Sequence, residues 1–221
     1  MSLFNHIEFV TSVDQLRDLP PARGAEVAFV GRSNAGKSSA INSLGNRKRL
    51  AYVAKAPGKT RLINFFHLGE GRYLVDLPGY GYARGAAGAR EHWSELIEGY
   101  LTTRASLKGL ALVMDIRHPL TALDRQLLEW FAPTGKPVHV LLSKADKLGR
   151  VAMVTVLREV SAALAAHYPN CSAQLFSSRT HEGVEQAKRV IADWIGVDVD
   201  AGVRQQKAPG QRGVKPGAKL P

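Results

Sequence analysis

The chain has 221 residues, 45% hydrophobic and 22% charged, the proportions of an ordinary globular protein with one domain's worth of core. Its single cysteine, Cys171, excludes an internal disulfide framework and fits a reducing compartment, where its plainest role is a small half-buried side chain. A formal net charge of +11 exceeds what most enzymes of small metabolites need; nucleic acid is the commonest polyanionic partner, and a membrane surface fits less well without a basic amphipathic helix bearing an aromatic face.

The start, Met1-Ser2-Leu3-Phe4-Asn5-His6-Ile7-Glu8, has no basic segment followed by an apolar run. No apolar stretch approaches the roughly 20 residues of a membrane helix. The expected location is the cytoplasm. Residues 1–23 read as a lead-in: Ile7 to Val10 is a candidate edge strand, and Pro20-Pro21 ends any helical turn over Asp14 to Leu19. Glu26 to Val30 is the first core strand, and Ser39 to Leu44 opens a helix with Ile41 and Leu44 one turn apart.

Between strand and helix lies Gly31-Arg32-Ser33-Asn34-Ala35-Gly36-Lys37-Ser38-Ser39, of the form G-x-x-x-x-G-K-S. Glycines let the backbone wrap closely enough for successive N–H groups to point at phosphates, and the helix N-terminus adds partial positive charge. Lys37 would then reach the β- and γ-phosphates, and the Ser38 hydroxyl would ligate Mg²⁺. Taken alone, the pattern is also that of a glycine-rich turn with an exposed lysine.

Asn46 to Arg61, polar and broken by Pro57-Gly58, is expected to be a mobile loop. Leu62 to Leu68 and Arg72 to Asp76 read as strands joined by a turn at Gly69 to Gly71. Residues 80–88 are rich in Gly and Ala, and a helix is expected over about Ala89 to Ala105 with Trp93, Leu96, Ile97, Tyr100 and Leu101 on one face. Three strand–helix units follow. Their strands are Leu110 to Asp115, Val138 to Leu142 and Ala173 to Phe176. Their helices carry Leu123, Leu127, Trp130 and Phe131; span about 150–167; and carry Val184, Ala187, Ile191 and Trp194. This alternation predicts an α/β fold, a doubly wound, mainly parallel sheet with helices on both faces, over residues 24–199. Ligands of such sheets bind beyond the carboxyl ends of the strands.

The tail, residues 200–221, carries Arg204, Lys207, Arg212, Lys215 and Lys219, with Gly and Pro throughout, and is expected to be disordered. Residues 201–221 hold these five cations and no acidic residue, which leaves +6 on residues 1–200, so the globular part is basic too. The tail fits either a phosphate-contacting arm or a solubilising appendage.

Two further constellations lie at strand ends. Asp76-Leu77-Pro78-Gly79 fits an element that holds Mg²⁺ through water with its carboxylate and meets a γ-oxygen with the Gly79 N–H. Thr60 would add its hydroxyl to Mg²⁺ only when the γ-phosphate is present, which makes 47–61 and 80–88 two switch segments. Asp76 as a strand-end cap and Thr60 as a loop hydroxyl are the plainer alternatives. In Ser143-Lys144-Ala145-Asp146, the Asp146 carboxylate accepts from guanine N1–H and the exocyclic amine, where adenine would leave the charge unpaired. The Lys144 stem can lie over the ring, and Phe176-Ser177-Ser178 closes the pocket with a backbone N–H for guanine O6.

With these motifs in order, the sequence resembles a translation-factor-type GTPase of the EngB (YihA/YsxC) family of bacterial ribosome-assembly proteins over roughly residues 7–196. Asp76-Leu77-Pro78-Gly79-Tyr80-Gly81-Tyr82-Ala83, with Trp93, is part of the resemblance, and Pro57-Gly58-Lys59-Thr60 and the Gly79-Tyr80-Gly81-Tyr82-Ala83 extension are its family-specific part. The resemblance implies GTP and Mg²⁺ as ligands, nucleotide contacts from Gly58, Lys59, Thr60 and Arg61, and a large-subunit ribosomal precursor of rRNA and proteins as partner. It also implies a link to septation, downstream of ribosome supply, and a monomer is favoured. Ser143 stands where Asn or Thr is common, and Arg84-Gly85-Ala86-Ala87-Gly88 replaces the usual lysines and serines.

Many Ras-like GTPases place a Gln after Asp-x-x-Gly to orient the attacking water; here that residue is Tyr80, so intrinsic hydrolysis is expected to be slow. Charge supplied in trans or a K⁺ beside the phosphates would compensate. Asn34 bears on the second, since related GTPases that bind K⁺ carry Asn there; a local turn is its alternative role. No catalytic base is assigned; Lys37, Thr60 and Gly79 are γ-phosphate contacts. A non-hydrolysing, GTP-sensing RNA-binding module is the competing reading, and a metabolic ATPase or small-molecule kinase is disfavoured by Asp146.

Overall fold

The computed structural model of the chain describes residues 3–47, 50–51, 62–81 and 87–197, by backbone alone over 87–94. The short apolar runs form strands β1 (Glu8–Val13), β2 (Ala25–Gly31), β3 (Ile63–Gly69), β4 (Arg72–Asp76), β5 (Leu107–Asp115), β6 (Val138–Ser143) and β7 (Cys171–Leu175). The helices are α1 (Lys37–Leu44), α2 (Ala87–Thr103), α3 (Ala122–Phe131), α4 (Arg150–His167) and α5 (Val184–Trp194). One sheet runs in the order β1-β3-β4-β2-β5-β6-β7. β1 and β4 pair with β3 antiparallel, and every pairing from β4 through β2, β5 and β6 to β7 is parallel.

Alternation along the strands sorts the core into two layers. Ala28, Val30, Leu110, Leu112, Met114, Val140 and Leu142 face α2, α3 and α4, meeting Leu96, Ile97, Tyr100, Leu127, Phe131 and Leu164. Val27, Phe29, Ala111, Val113 and Leu141 face the other way, onto Ile41 and Leu44 of α1 and Val184, Ala187 and Ile191 of α5. Phe4 and Ile7, both wholly buried, join this second layer, so the N-terminal segment packs under the sheet before β1 adds the edge strand.

Several expectations need correction. The edge strand is Glu8–Val13, not Ile7 to Val10, and β7 begins at Cys171 and ends before Phe176, whose side chain is buried between β6 and α5. In α3, Leu123 is exposed, and the buried face is Leu127, Leu128 and Phe131, three positions that share one side of the helix. Pro57, Gly58, Lys59, Thr60, Arg61, Tyr82 to Ala86, the Trp93 side chain and the tail from Ala201 lie outside the described residues.

At the amino end of β2, remote from the strand ends that matter for ligands, Glu26 and Arg104 form a buried pair at 2.6 Å. The Tyr100 hydroxyl donates to Glu26 at 2.6 Å, and Arg104 also donates to the Pro20 carbonyl at 2.7 Å. Every charge removed from water there has a partner, which is the condition for tolerating it.

His139 on β6 is a second buried polar group. The Gln174 amide donates to the Leu175 and Gly183 carbonyls, so its oxygen accepts from His139 Nε2–H at 2.8 Å, and His139 Nδ1 accepts from the Ser172 hydroxyl at 2.7 Å. Burial lowers the imidazole pKa from its ordinary 6.5. The unfolded chain therefore binds the proton first, so this group's contribution is fully present above about pH 6.5 and is lost as pH falls toward the lower folded value. Urea midpoints are expected to drop between pH 7.5 and 5.5, and His139→Gln is expected to flatten that part of the slope. An unchanged slope in the variant would contradict the assignment.

Candidate GTP-binding site

β2 ends at Gly31, and the chain turns through Asn34 (φ 64°) and Gly36 (φ 103°) into α1. Both lie in the left-handed region, which glycine enters freely and asparagine tolerates. The first bond inside the helix runs from Ala40 N–H to the Gly36 carbonyl at 2.9 Å, leaving the Lys37, Ser38 and Ser39 amides without intrahelical acceptors and aimed outward. Such an N-terminus is an anion site.

The Asp76 segment runs beside this loop. Leu77 N–H donates to the Phe29 carbonyl at 2.9 Å, Tyr80 N–H to Gly31 at 3.2 Å, and Ser33 N–H to Tyr80 at 2.8 Å, so 77–80 continues the parallel pairing past the end of β4. Gly79 lies where an added Cβ would stand 3.4 Å from the Gly31 carbonyl and from Ser33, against the loop itself. The Lys37 ammonium donates directly to the Asp76 carboxylate, and both are buried, at 7% and 2% exposure. Lys37 is thus not the exposed lysine of a plain turn.

The base side comes from β5, β6 and the loop after β7. The Ser143 hydroxyl donates to the carbonyls of Ala35 and, at 3.0 Å, Met114. It ties the ends of β5 and β6 to the phosphate loop. Lys144, itself left-handed (φ 58°), reaches the Asn34 carbonyl at 2.7 Å and Asp115 at 2.9 Å, so its stem crosses from base side to phosphate side. Burial raises the Asp115 pKa, but the hydrogen bonds from Arg117 and Lys144 outweigh it and hold the carboxyl far below the ordinary range.

Ala145 N–H donates to the Phe176 carbonyl at 3.1 Å, which fixes the two base loops together. Asp146 accepts from the Ser177 hydroxyl at 2.7 Å, and this bond lowers its pKa. Ser177 Oγ in turn accepts from the Arg179 and Thr180 amides at 3.2 Å each. Phe176 N–H donates to Leu142 and Ser177 N–H to Glu182, whereas Ser178 N–H makes no bond among the described residues. Of the three amides, Ser178's is the one left for a ligand, and the Phe176 side chain is buried in the core. The loop re-enters α5 at Gly183 (φ 75°), where a Cβ would sit 2.1 Å from the Leu175 carbonyl.

The sequence reading missed two carboxylates. Asp115 positions Lys144, and its place at the carboxyl end of β5 beside Ser143 was the signal available. Asp124, on α3, accepts the Tyr80 hydroxyl; nothing local marks it beyond the Thr-x-x-Asp capping pattern. Tyr80 itself is 2% exposed, so its ring lies beneath the site.

A phosphate loop on α1, an Asp-x-x-Gly element on the adjoining strand and a Lys-x-Asp base motif two strands away define a P-loop GTPase. A family model described as "50S ribosome-binding GTPase" matches residues 26–144. The probable GTP-binding protein EngB of Nitrosomonas eutropha is 56% identical over 205 residues, 93% of this chain and 91% of that protein. That of Dechloromonas aromatica is 51% identical over 223 residues, 100% of each. The chain belongs to the EngB family of GTP-binding proteins and is a GTPase. A crystal structure of a probable GTP-binding protein engB superposes with a TM-score of 0.62 at 21% identity, covering 78% of this chain and 99% of that one, a likeness of fold. Among the described residues no helix is long and apolar enough to cross a membrane.

Proposed function

We propose that this GTPase is a switch in assembly of the large ribosomal subunit, acting in the cytoplasm on a precursor particle of rRNA and ribosomal proteins, with septation affected downstream. The observation that carries this reading is the match of residues 26–144 to a family described as binding the 50S subunit, joined to a net charge of +11. Counterion release from rRNA would reward that charge.

In this reading the Lys37, Ser38 and Ser39 amides cradle the phosphates, Lys37 leaves Asp76 for the β- and γ-oxygens, and Gly79 N–H meets the γ-phosphate. Asp146 and Ser178 N–H read guanine. Mg²⁺ fits the donors present: the Ser38 hydroxyl and the Asp76 carboxylate are hard oxygens, and Asp76 already holds a cationic group, the Lys37 ammonium. Bound there, the ion would neutralise phosphate charge; Thr60 would add its hydroxyl. The Asn34 carbonyl accepts from Lys144, and its side chain remains the candidate K⁺ ligand. If it is one, replacing Na⁺ by K⁺ at constant ionic strength raises turnover and Asn34→Ala removes the difference; equal responses would end the idea.

Cosedimentation with ribosomal subunits tests the function. Binding to the large subunit or its precursor with GTP or a non-hydrolysable analogue, and release with GDP, is the expected result. Equal binding in all nucleotide states, or none, would overturn the switch.

A further inference from the structure

We propose that Asp124 is a positioning residue for GTP hydrolysis: through its hydrogen bond from Tyr80 it fixes the Asp76–Gly79 segment against the phosphate loop. The inference rests on the assignment of Gly79 to the γ-phosphate. It gives a role to the residue that stands where a glutamine would orient water.

Tyr80 directly follows Gly79, and its main chain and its hydroxyl are both held. Its N–H donates to the Gly31 carbonyl, its carbonyl accepts from Ser33 N–H, and its hydroxyl donates to Asp124 Oδ1. The first two bonds belong to the loop it adjoins. The third anchors it to an element 44 residues away in sequence. Burial first, and the Asp124 charge second, push the phenol well above its ordinary pKa, so the hydroxyl keeps its proton to donate.

Asp124 is more than a cap. Its Oδ2 accepts from Thr121 N–H at 2.7 Å and Thr121 Oγ1 at 2.8 Å, completing the capping box with one oxygen. A capping box uses only one oxygen of such a carboxylate; here the group is 1% exposed and its second oxygen is turned to Tyr80. Residue 81 continues the contact: Gly81 (φ 82°) passes so close to α3 that a Cβ would stand 3.1 Å from Leu123 Cδ1. The segment after Gly79 is therefore seated on the first turn of α3. A helix end fixed by its own cap is a rigid support for an amide that must meet a γ-oxygen.

The test compares kcat, GTP KM, GDP affinity and melting temperature for the full chain and for Tyr80→Phe, Asp124→Ala, Asp124→Asn, Thr121→Ala and Asp76→Asn. Tyr80→Phe and Asp124→Ala are each expected to lower kcat by about tenfold to a hundredfold, the scale of a small misplacement. GDP affinity stays within about twofold, because the lost contact concerns the γ-phosphate. Their double variant is no slower than the slower single one. Asp124→Asn keeps the cap through its carbonyl and turns an N–H to the Tyr80 oxygen, so it recovers most of the rate. Thr121→Ala weakens the cap and lowers the melting temperature without changing kcat.

Wild-type kcat in Tyr80→Phe would overturn the proposal, as would equal kcat losses in Thr121→Ala and Asp124→Ala, which a purely structural cap would give. If Asp124→Ala does not fold, Tyr80→Phe decides alone. Asp76→Asn separates the two readings. If it hydrolyses GTP normally, the assignment of the Asp76–Gly79 segment to the γ-phosphate and its Mg²⁺ fails; if it is folded by its melting curve and inactive while Tyr80→Phe is normal, only the role of Asp124 fails.

Discussion

Lys37→Ala is expected to lose tight GTP binding and, in addition, to melt at a lower temperature than the parent protein. The sequence alone places Lys37 on an open binding face, where truncation would leave the fold untouched. The structure puts its ammonium on Asp76 with both groups nearly out of solvent. Removing one partner of a buried pair leaves an uncompensated charge and costs roughly 3–5 kcal/mol. Neutralising both partners avoids that cost, so the double variant Lys37→Met with Asp76→Asn is expected to regain most of the melting temperature and none of the binding. Calorimetric titration with GTP beside a melting curve for each protein checks both halves. A Lys37→Ala protein that still binds GTP tightly would refute the phosphate site.

Asp146→Asn is expected to exchange guanine for xanthine nucleotides. Ser177 Oγ already accepts from two amides, so its hydrogen must go to residue 146. An asparagine there is thereby oriented with its carbonyl toward Ser177 and its N–H₂ toward the base. That amide meets guanine N1–H donor to donor, whereas xanthine presents a carbonyl oxygen at C2. Loss of the charge-assisted contact is worth roughly 2–4 kcal/mol, a fall in GDP affinity of about thirtyfold to a thousandfold. Competition between GDP and xanthosine diphosphate measures it, and unchanged GDP affinity would remove Asp146 from the base pocket.

Much of this was legible beforehand because it is local. Strand, glycine-rich turn and helix start sit within one stretch, Ala25 to Leu44, and short continuous apolar runs bounded by turn residues separate the strands from the longer, periodic helices. The strand-end positions of Asp76 and Ser143 follow from the same patterning. What could not be read depends on residues far apart in the chain. Ser143 binds a carbonyl at Ala35, Lys144 one at Asn34, and Tyr80 a carboxylate at Asp124; no spacing rule encodes such pairings. The start of β7 differs for another reason. Cys171 and Ser172 follow directly on Pro169-Asn170 and carry no β-branched or aromatic side chain to mark a strand, and pairing with β6 through Val138 and His139 extends β7 back to them.

The bonds from Ser143 to Ala35 and from Lys144 to Asn34 also bear on how quickly product leaves. They join the guanine-reading and phosphate-holding halves of the pocket without using the nucleotide, so the cleft stays preassembled when empty. On the proposed assignment of the two halves, loosening one strains its bonds to the other, so spontaneous exchange is expected to be slow. A partner that accelerates exchange has a simpler task. Prising the tip of β6 away from residues 34 and 35 would slacken the grip on base and phosphates in a single movement.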